Sequence, residues 1–322
     1  MNYKDSGLDL HEQDVFNARL IQKMPWVGGF AGAFDIGDDY LVSSTDGVGT
    51  KVMLYNDYKD TPGVSIANLG IDLVGMVLND IVCTGAKPLF FNDYLAVNDL
   101  KKMDAMGIID GINTGLSLCG NLPLLGGETA IMGDMYKEGE FDVAGFAIGA
   151  INKDDFIDGT AIEDGDVMLG LKSSGFHSNG YTLIRKVLEN IPKNDLPEDL
   201  IKDLLTPTKL YVNSILSLLH KHNTGTVHGI AHITGGGRAN VNRLLGEDIN
   251  LRPVWHNNEP ENELFDFIKL HGNIDELEFR KVFNNGIGMV LIVDRSDAYE
   301  IQRTLESYGE NVYEVGAIGT RI

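Results

Sequence analysis

Tyr40-Leu41-Val42-Ser43-Ser44-Thr45-Asp46-Gly47-Val48-Gly49-Thr50-Lys51 joins an apolar run to a loop holding a carboxylate, two glycines, a hydroxyl and a cation. The pattern predicts a strand over residues 40–44 that delivers Asp46 into the loop. Gly47 and Gly49 let main-chain N–H groups approach an anion, while Thr50 and Lys51 offer a hydroxyl and a charge to phosphate or metal. The GxxxxGK[ST] spacing of a Walker A loop is absent. Taken alone, the stretch reads equally well as a turn with a surface lysine.

Its neighbours change that balance. Residues 66–82 carry Ile66, Leu69, Leu73, Met76, Val77 and Ile81 at helical spacing, with Asp72 and Asn79 nearly superposed and Asp80 one step round. Polar groups on so apolar a helix either mark a solvated face, the plainer reading for Asp72, or find a cation. Asp80 directly precedes Ile81 and Val82, where an unpaired charge is costly, so it is the stronger ligand candidate. Gly126-Gly127-Glu128-Thr129 follows a short strand predicted over residues 122–125, and it reads as a double-glycine turn projecting Glu128 into a cleft. Carboxylate oxygens for magnesium, glycine N–H groups and a mobile cation are what a polyphosphate requires.

Further out, strands are expected over residues 88–97, 141–151, 167–172, 226–233, 288–293 and 311–317. Helices are expected over 100–119, 180–189, 209–220, 275–282 and 297–308, the last capped by Ser296. The spacing is not that of a doubly wound sheet; each half reads as an α+β unit. Residues 152–166, rich in Asp, Gly and Lys, place a boundary that divides the chain into 1–160 and 161–322. A length of 322 residues supports two cores, and 43% apolar content fills them.

A surplus of 47 acidic over 26 basic residues, net −21, argues against nucleic acid or an anionic membrane as partner. Cys83 and Cys119 match neither a disulfide framework nor a zinc spacing, and the N-terminal twenty residues lack the apolar core of a secretory signal. No run reaches the roughly 20 apolar residues of a membrane span. A soluble cytoplasmic protein is expected.

In the second half, Gly175-Phe176-His177-Ser178-Asn179-Gly180 links a strand to a helix, a geometry that receives anions, although Ser178 and Asn179 serve equally as caps. His177 there is either a substrate contact and proton carrier or a solvated loop residue. His232-Ile233-Thr234-Gly235-Gly236-Gly237 permits a backbone anion nest. A zinc pair of His232 with His228 is disfavoured, because the glutamate of HExxH is missing.

Together these segments resemble the phosphoribosylformylglycinamidine cyclo-ligases, also called aminoimidazole ribonucleotide synthetases. The resemblance runs in order through Tyr3-Lys4-Asp5-Ser6-Gly7-Leu8-Asp9, the 46–51 loop, Gly70-Ile71-Asp72-Leu73-Val74 and Asn79-Asp80. It continues through Pro88-Leu89-Phe90-Phe91, residues 126–130, 177–181, 232–237 and 283–289. It implies an ATP-dependent ring closure of formylglycinamidine ribonucleotide to aminoimidazole ribonucleotide, ADP and phosphate. It also implies two α+β domains, the N-terminal sheets of two subunits closing a central β-barrel in a homodimer. On this resemblance Asp46, Asp80, Glu128 and Asp72 bind Mg²⁺, and Lys51 and Thr50 contact the phosphates of ATP. Gly47, Gly49, Gly126, Gly127 and Thr129 line the nucleotide, while Lys4 lies in a mobile segment that folds over it. Ser174, Gly175, His177, Ser178, Asn179, His232, Thr234, Gly235 and Gly236 meet the ribonucleotide. Lys51, Asp80 and His177 form the catalytic set, His177 as proton carrier. Arg238-Ala239 departs from the bulkier apolar residues of the family, and the span from Asp9 to Gly28 is shorter than usual. Formylglycinamidine synthetases share the same ATP site, and a non-catalytic nucleotide-binding dimer is the reading from a different class.

Overall fold

The computed structural model describes residues 10–24, 29–222, 224–245, 250–260 and 262–320. The first half comprises α1 (Leu10–Lys23), β1 (Gly32–Asp35), β2 (Asp39–Gly47), α2 (Lys51–Tyr58), α3 (Ala67–Cys83), β3 (Lys87–Val97), α4 (Ala105–Leu118), β4 (Leu124–Ile131) and β5 (Phe141–Asn152). The second comprises β6 (Val167–Lys172), α5 (Tyr181–Glu189), α6 (Glu198–Leu204), α7 (Val212–His222), β7 (Val227–His232), β8 (Leu251–Trp255), α8 (Glu263–Gly272), α9 (Glu276–Val282), β9 (Ile287–Val293), α10 (Ala298–Ser307) and β10 (Val312–Thr320). Each half builds one five-stranded sheet, in the orders β1-β2-β5-β3-β4 and β7-β9-β6-β10-β8. All pairings are antiparallel except β3 with β4. The chain is therefore two α+β domains.

Helix α3 joins them. Leu69, Leu73, Val77 and Ile81 belong to an apolar core that includes Val42 and Phe91 of the first sheet and Leu169, Leu291 and Val293 of the second. Side chains of this size contribute about 1.5–3 kcal/mol each when fully buried, so the continuous core strongly couples the halves. Every residue of β9 is buried, as befits an interior strand covered on both faces. Where α3 crosses α4, a Cβ on Gly111 would lie 1.9 Å from the Ala67 carbonyl oxygen. Only glycine permits that approach.

Three local expectations are corrected. Residues 126–129 are not a turn but the middle of β4, because the main chain pairs in parallel with β3, Asp93 opposite Gly127 and Tyr94 opposite Glu128. Helix α4 begins at Ala105 rather than near 100, where the Asp104 carboxylate accepts from the Gly107 N–H at 2.9 Å. Ser296 does not cap α10; its hydroxyl and N–H both donate to Asp294.

Candidate active site

Asp46 lies near the end of β2, Asp80 in the last turn of α3, and His232 at the end of β7. The folded chain brings them together. His232 Nδ1 lies 2.8 Å from Asp80 Oδ1, with the imidazole fully buried and the carboxylate 15% exposed. Asp46 accepts from the Gly47 N–H at 2.7 Å. Its carboxyl is held above the usual carboxylate range, first by burial and then by the charge of Asp80, against the opposing pulls of the Gly47 N–H, His232 and Arg243. Two neighbouring acids, one of them raised by burial and by the other, form a hard oxygen donor set that a divalent cation would neutralise. Magnesium characteristically takes one or two protein carboxylates and completes its shell with phosphate and water. The pair fits that chemistry.

Beside Asp80 opens a cleft of about 740 Å³, lined by residues 29–34 and 43–45. The Arg243 guanidinium covers the Phe30 ring at 5.3 Å. The glycine-rich stretch Gly29-Phe30-Ala31-Gly32 was not among the expected site residues, although its density of glycine after α1 is a readable signal. Asp93 was also missed. It is half-buried with its carboxyl raised by burial, and it shares a cross-sheet row with Asp46, Gly145 and Gly127. A Cβ on Gly127 would stand 2.2 Å from Asp93 Oδ1, so the second glycine of the Gly126-Gly127 pair exists to seat this carboxylate.

Glu128 does not reach Asp46 and Asp80 within one chain. In the order β2-β5-β3-β4 it lies three strands away, about 14 Å at the usual strand spacing of just under 5 Å. It is exposed, as are Gly126, Gly127 and Thr129. Among the described residues, no three His, Cys, Asp or Glu side chains converge on one metal position.

The expected phosphate contacts of Thr50 and Lys51 meet a different arrangement. Lys51 begins α2 fully buried, donating to Asp72 Oδ1 (2.9 Å), the His177 carbonyl (2.9 Å) and the Thr206 carbonyl (2.6 Å). Thr50 Oγ1 lies 3.0 Å from Thr182 Oγ1. Asp72, expected as a metal ligand, is also fully buried, and its Oδ1 accepts from Lys51, from Ser178 Oγ (3.0 Å) and from both the N–H and hydroxyl of Thr208 (2.7 Å each). An oxygen with four donors is already committed. His177 is 1% exposed. Burial, then the charges of His232, Lys51 and Lys209, push its pKa well below the ordinary histidine value, so the ring is neutral at neutral pH. A buried neutral ring lacks the open approach that a proton carrier needs.

The two loops expected to meet the ribonucleotide do face each other. A Cβ on Gly235 would lie 3.2 Å from Asn179 Oδ1, and Asn179 Nδ2 is buried without an acceptor among the described residues. Asn240 Nδ2 gathers the carbonyls of Thr234, Gly235 and Gly237 at 2.9–3.3 Å, fixing the triple-glycine loop. Ser174 Oγ donates to the Pro207 carbonyl (2.6 Å), and the Gly175 carbonyl accepts from Asn284 (2.8 Å). Gly236 turns at φ 95° into the 3₁₀ segment Gly237–Leu244. Arg238 stacks on Trp255 at 4.7 Å and pairs with Glu259, so the departure at this position has local partners. Lys4 lies outside the described residues.

Residues 28–151 match the family of the AIR synthase related protein, N-terminal domain, and residues 163–321 that of the C-terminal domain. The chain is 41% identical to a phosphoribosylformylglycinamidine cyclo-ligase of Polaromonas sp., covering 100% of this chain and 95% of that protein. It is 41% identical to the enzyme of that name from Clostridium novyi, covering 98% and 96%. Among solved structures, T. maritima PurL complexed with FGAR superposes with a TM-score of 0.63 at 17% identity over 91% of this chain, which spans 44% of that longer protein. The HypE-HypF complex gives 0.65 at 16% identity, over 91% of this chain and 88% of that one. These two likenesses speak to fold alone. With both domain families matched and full-length identity at this level, the chain belongs to the phosphoribosylformylglycinamidine cyclo-ligase family of AIR synthase related proteins.

Proposed function

We propose that the protein performs the reaction for which its relatives are named, the ATP-dependent closure of formylglycinamidine ribonucleotide to aminoimidazole ribonucleotide, ADP and phosphate. The observation that carries the reading is identity of about 41% across essentially the whole chain to cyclo-ligases. ATP phosphorylates the formyl oxygen; an amidine nitrogen then forms the ring C–N bond as phosphate leaves with that oxygen. Mg²⁺, when bound, supplies charge neutralisation on the polyphosphate. Asp46 and Asp80 hold it, the 29–34 stretch and Gly47 and Gly49 enclose the nucleotide, and Asp93 serves the same region from β3. His232 orients Asp80 through its 2.8 Å contact. Asn179, with its free N–H, and the 234–237 loop orient the ribonucleotide.

On this reading, residues 1–160 carry nucleotide, metal and dimer contacts, and residues 161–322 carry the substrate. A homodimer is supported by large apolar side chains left exposed on the first sheet, Phe34 (70%), Leu125 (64%) and Ile131 (64%), and by edge strands β1 and β4, which have no outer partner among the described residues. Closure of two such sheets into a barrel covers both. Leu125→Lys is expected to convert dimer to monomer in sedimentation velocity, and an unchanged dimer refutes the interface. A reducing, cytoplasmic setting suits the two free buried cysteines, and no described helix is long and apolar enough to cross a membrane.

The test follows phosphate release and aminoimidazole ribonucleotide formation in one tube with Mg-ATP. Stoichiometric, substrate-dependent appearance of both supports the cyclo-ligase. Phosphate without aminoimidazole ribonucleotide points to another acceptor, and nucleotide binding without either product points to a regulatory dimer.

A further inference from the structure

Residues 206–211 belong to neither helix nor sheet, yet their polar main-chain groups are met one after another by side chains. Lys51 takes the Thr206 carbonyl (2.6 Å), Ser174 the Pro207 carbonyl (2.6 Å) and Asp72 the Thr208 N–H (2.7 Å). Asn79 takes both the Lys209 carbonyl (2.9 Å) and the Tyr211 N–H (3.0 Å). Asp72 and Asn79 are the superposed pair on α3, so a buried polar stripe of the first domain reads the backbone of a second-domain segment. Lys51 adds a further contact. All three of its N–H bonds are committed, and the third goes to the carbonyl of His177, a non-glycine residue held at φ 58°. That left-handed conformation costs about 1–2 kcal/mol for an L-residue, and it persists where the surroundings enforce it. The residue after it, Ser178, is bonded to the other end of the same ion pair.

We propose that Lys51 and Asp72 are positioning residues: they clamp the strained 177–178 turn and residues 206–208 to α2 and α3, and so hold Asn179 and the ribonucleotide loop at a fixed distance from Asp46 and Asp80. The lysine of the 46–51 loop then acts through the second domain's main chain rather than on phosphate. This rests on the proposed function only for the identity of the ligands. The clamp itself is geometric.

Lys51→Met strands a buried carboxylate and can fail to fold for that reason alone. The informative variant is therefore Lys51→Met with Asp72→Asn, which removes both charges and keeps an acceptor for Thr208. Two measurements are made on the folded double variant. Hydrogen exchange at amides 176–180 is expected to accelerate at least tenfold while α3 amides keep their protection. Binding of Mg-ATP is expected to stay within threefold of the parent while kcat/KM for the ribonucleotide falls roughly a hundredfold, the cost of about 1 Å of misplacement. Unchanged exchange at 176–180, or turnover equal to the parent, overturns the proposal. Loss of Mg-ATP binding in step with turnover also overturns it, by returning Lys51 to the nucleotide. If the parent itself makes no aminoimidazole ribonucleotide, the cyclo-ligase reading fails while the exchange result still decides the clamp.

Discussion

Gly126 and Gly127 are adjacent in a motif that reads as one unit, yet alanine at the two positions should have opposite consequences. A Cβ on Gly126 meets nothing within 4 Å, and its φ is ordinary for a strand. Alanine there removes unfolded-state freedom, and Gly126→Ala is expected to be neutral or to stabilise by a few tenths up to about 1 kcal/mol. At Gly127 the added carbon would stand 2.2 Å from Asp93 Oδ1, 2.5 Å from the Asp93 carbonyl oxygen and 2.9 Å from Asp93 Cγ. Rotating the carboxylate clears two of those contacts but not the third, which is main chain of the paired strand. Reaching an ordinary contact needs β3 and β4 to part by about 1 Å, a strain of about 1–3 kcal/mol at a packed position. The same shift carries Asp93 out of the row it shares with Asp46, and misplacement of this size costs about a hundredfold in turnover. Urea unfolding gives the stability difference from the midpoint at constant m, and the coupled product assay gives the rate. Equal destabilisation by both alanines, or a Gly127→Ala enzyme with parental rate and stability, refutes the claim that the second glycine seats Asp93.

Three other outcomes are expected. Gly111→Ala gains about 1 kcal/mol of helix propensity, but its Cβ would lie 1.9 Å from the Ala67 carbonyl; a net loss of about 2 kcal/mol or more is expected in denaturant titration, and a more stable protein contradicts the α3–α4 crossing. His177 is lowered below its unfolded value near 6.5. It therefore favours the folded state fully above that pH and loses its contribution as pH falls from about 6.5 toward the folded value, with a slope of at most about 1.4 kcal/mol per unit. His177→Asn, which tolerates the left-handed backbone, should flatten the pH dependence of stability below 6.5, and an unchanged slope would assign it elsewhere. Asp80→Asn keeps an acceptor for His232 and relieves the repulsion on Asp46; apo stability should change by less than about 1 kcal/mol, while the Mg²⁺ concentration for half-maximal turnover rises at least tenfold. A parental magnesium requirement would remove Asp80 from the metal site.

The elements legible in the sequence are those marked by apolar residues at helical spacing or by short continuous apolar runs. The stripe from Ile66 to Ile81 became α3 (Ala67–Cys83), and the run entering Asp46 became β2 (Asp39–Gly47). Strand β4 was hidden because Gly127 serves close packing on β3 rather than a turn, and nothing local distinguishes the two uses. Helix α2 (Lys51–Tyr58) was hidden because only Lys51, Val52 and Leu54 are buried and Thr50 makes no side-chain cap. Of the site, Asp80 and His232 make a direct carboxylate–imidazole contact, and Asp46 lies near enough for the charge of each to act on it. The role of Lys51 was out of reach: lysine is almost never fully buried, and its partners Asp72, His177 and Thr206 lie 21, 126 and 155 residues away.

That long-range cluster also bears on why the domain seam is polar where it passes the site. Apolar contact is non-directional and tolerates sliding, whereas hydrogen bonds to successive main-chain groups of residues 206–211 admit one register. A slip of one residue would leave Asp72 facing a carbonyl instead of an N–H and would strand the Lys51 charge, a penalty of several kcal/mol for the buried ion alone. The apolar core around α3 supplies adhesion between the domains. The polar stripe supplies registration, and it lies on the helix that also carries Asp80. Asp80, the proposed metal ligand, and the proposed substrate loop are thus referred to one rigid element, so on that proposal chemistry split between two domains requires no hinge at this seam.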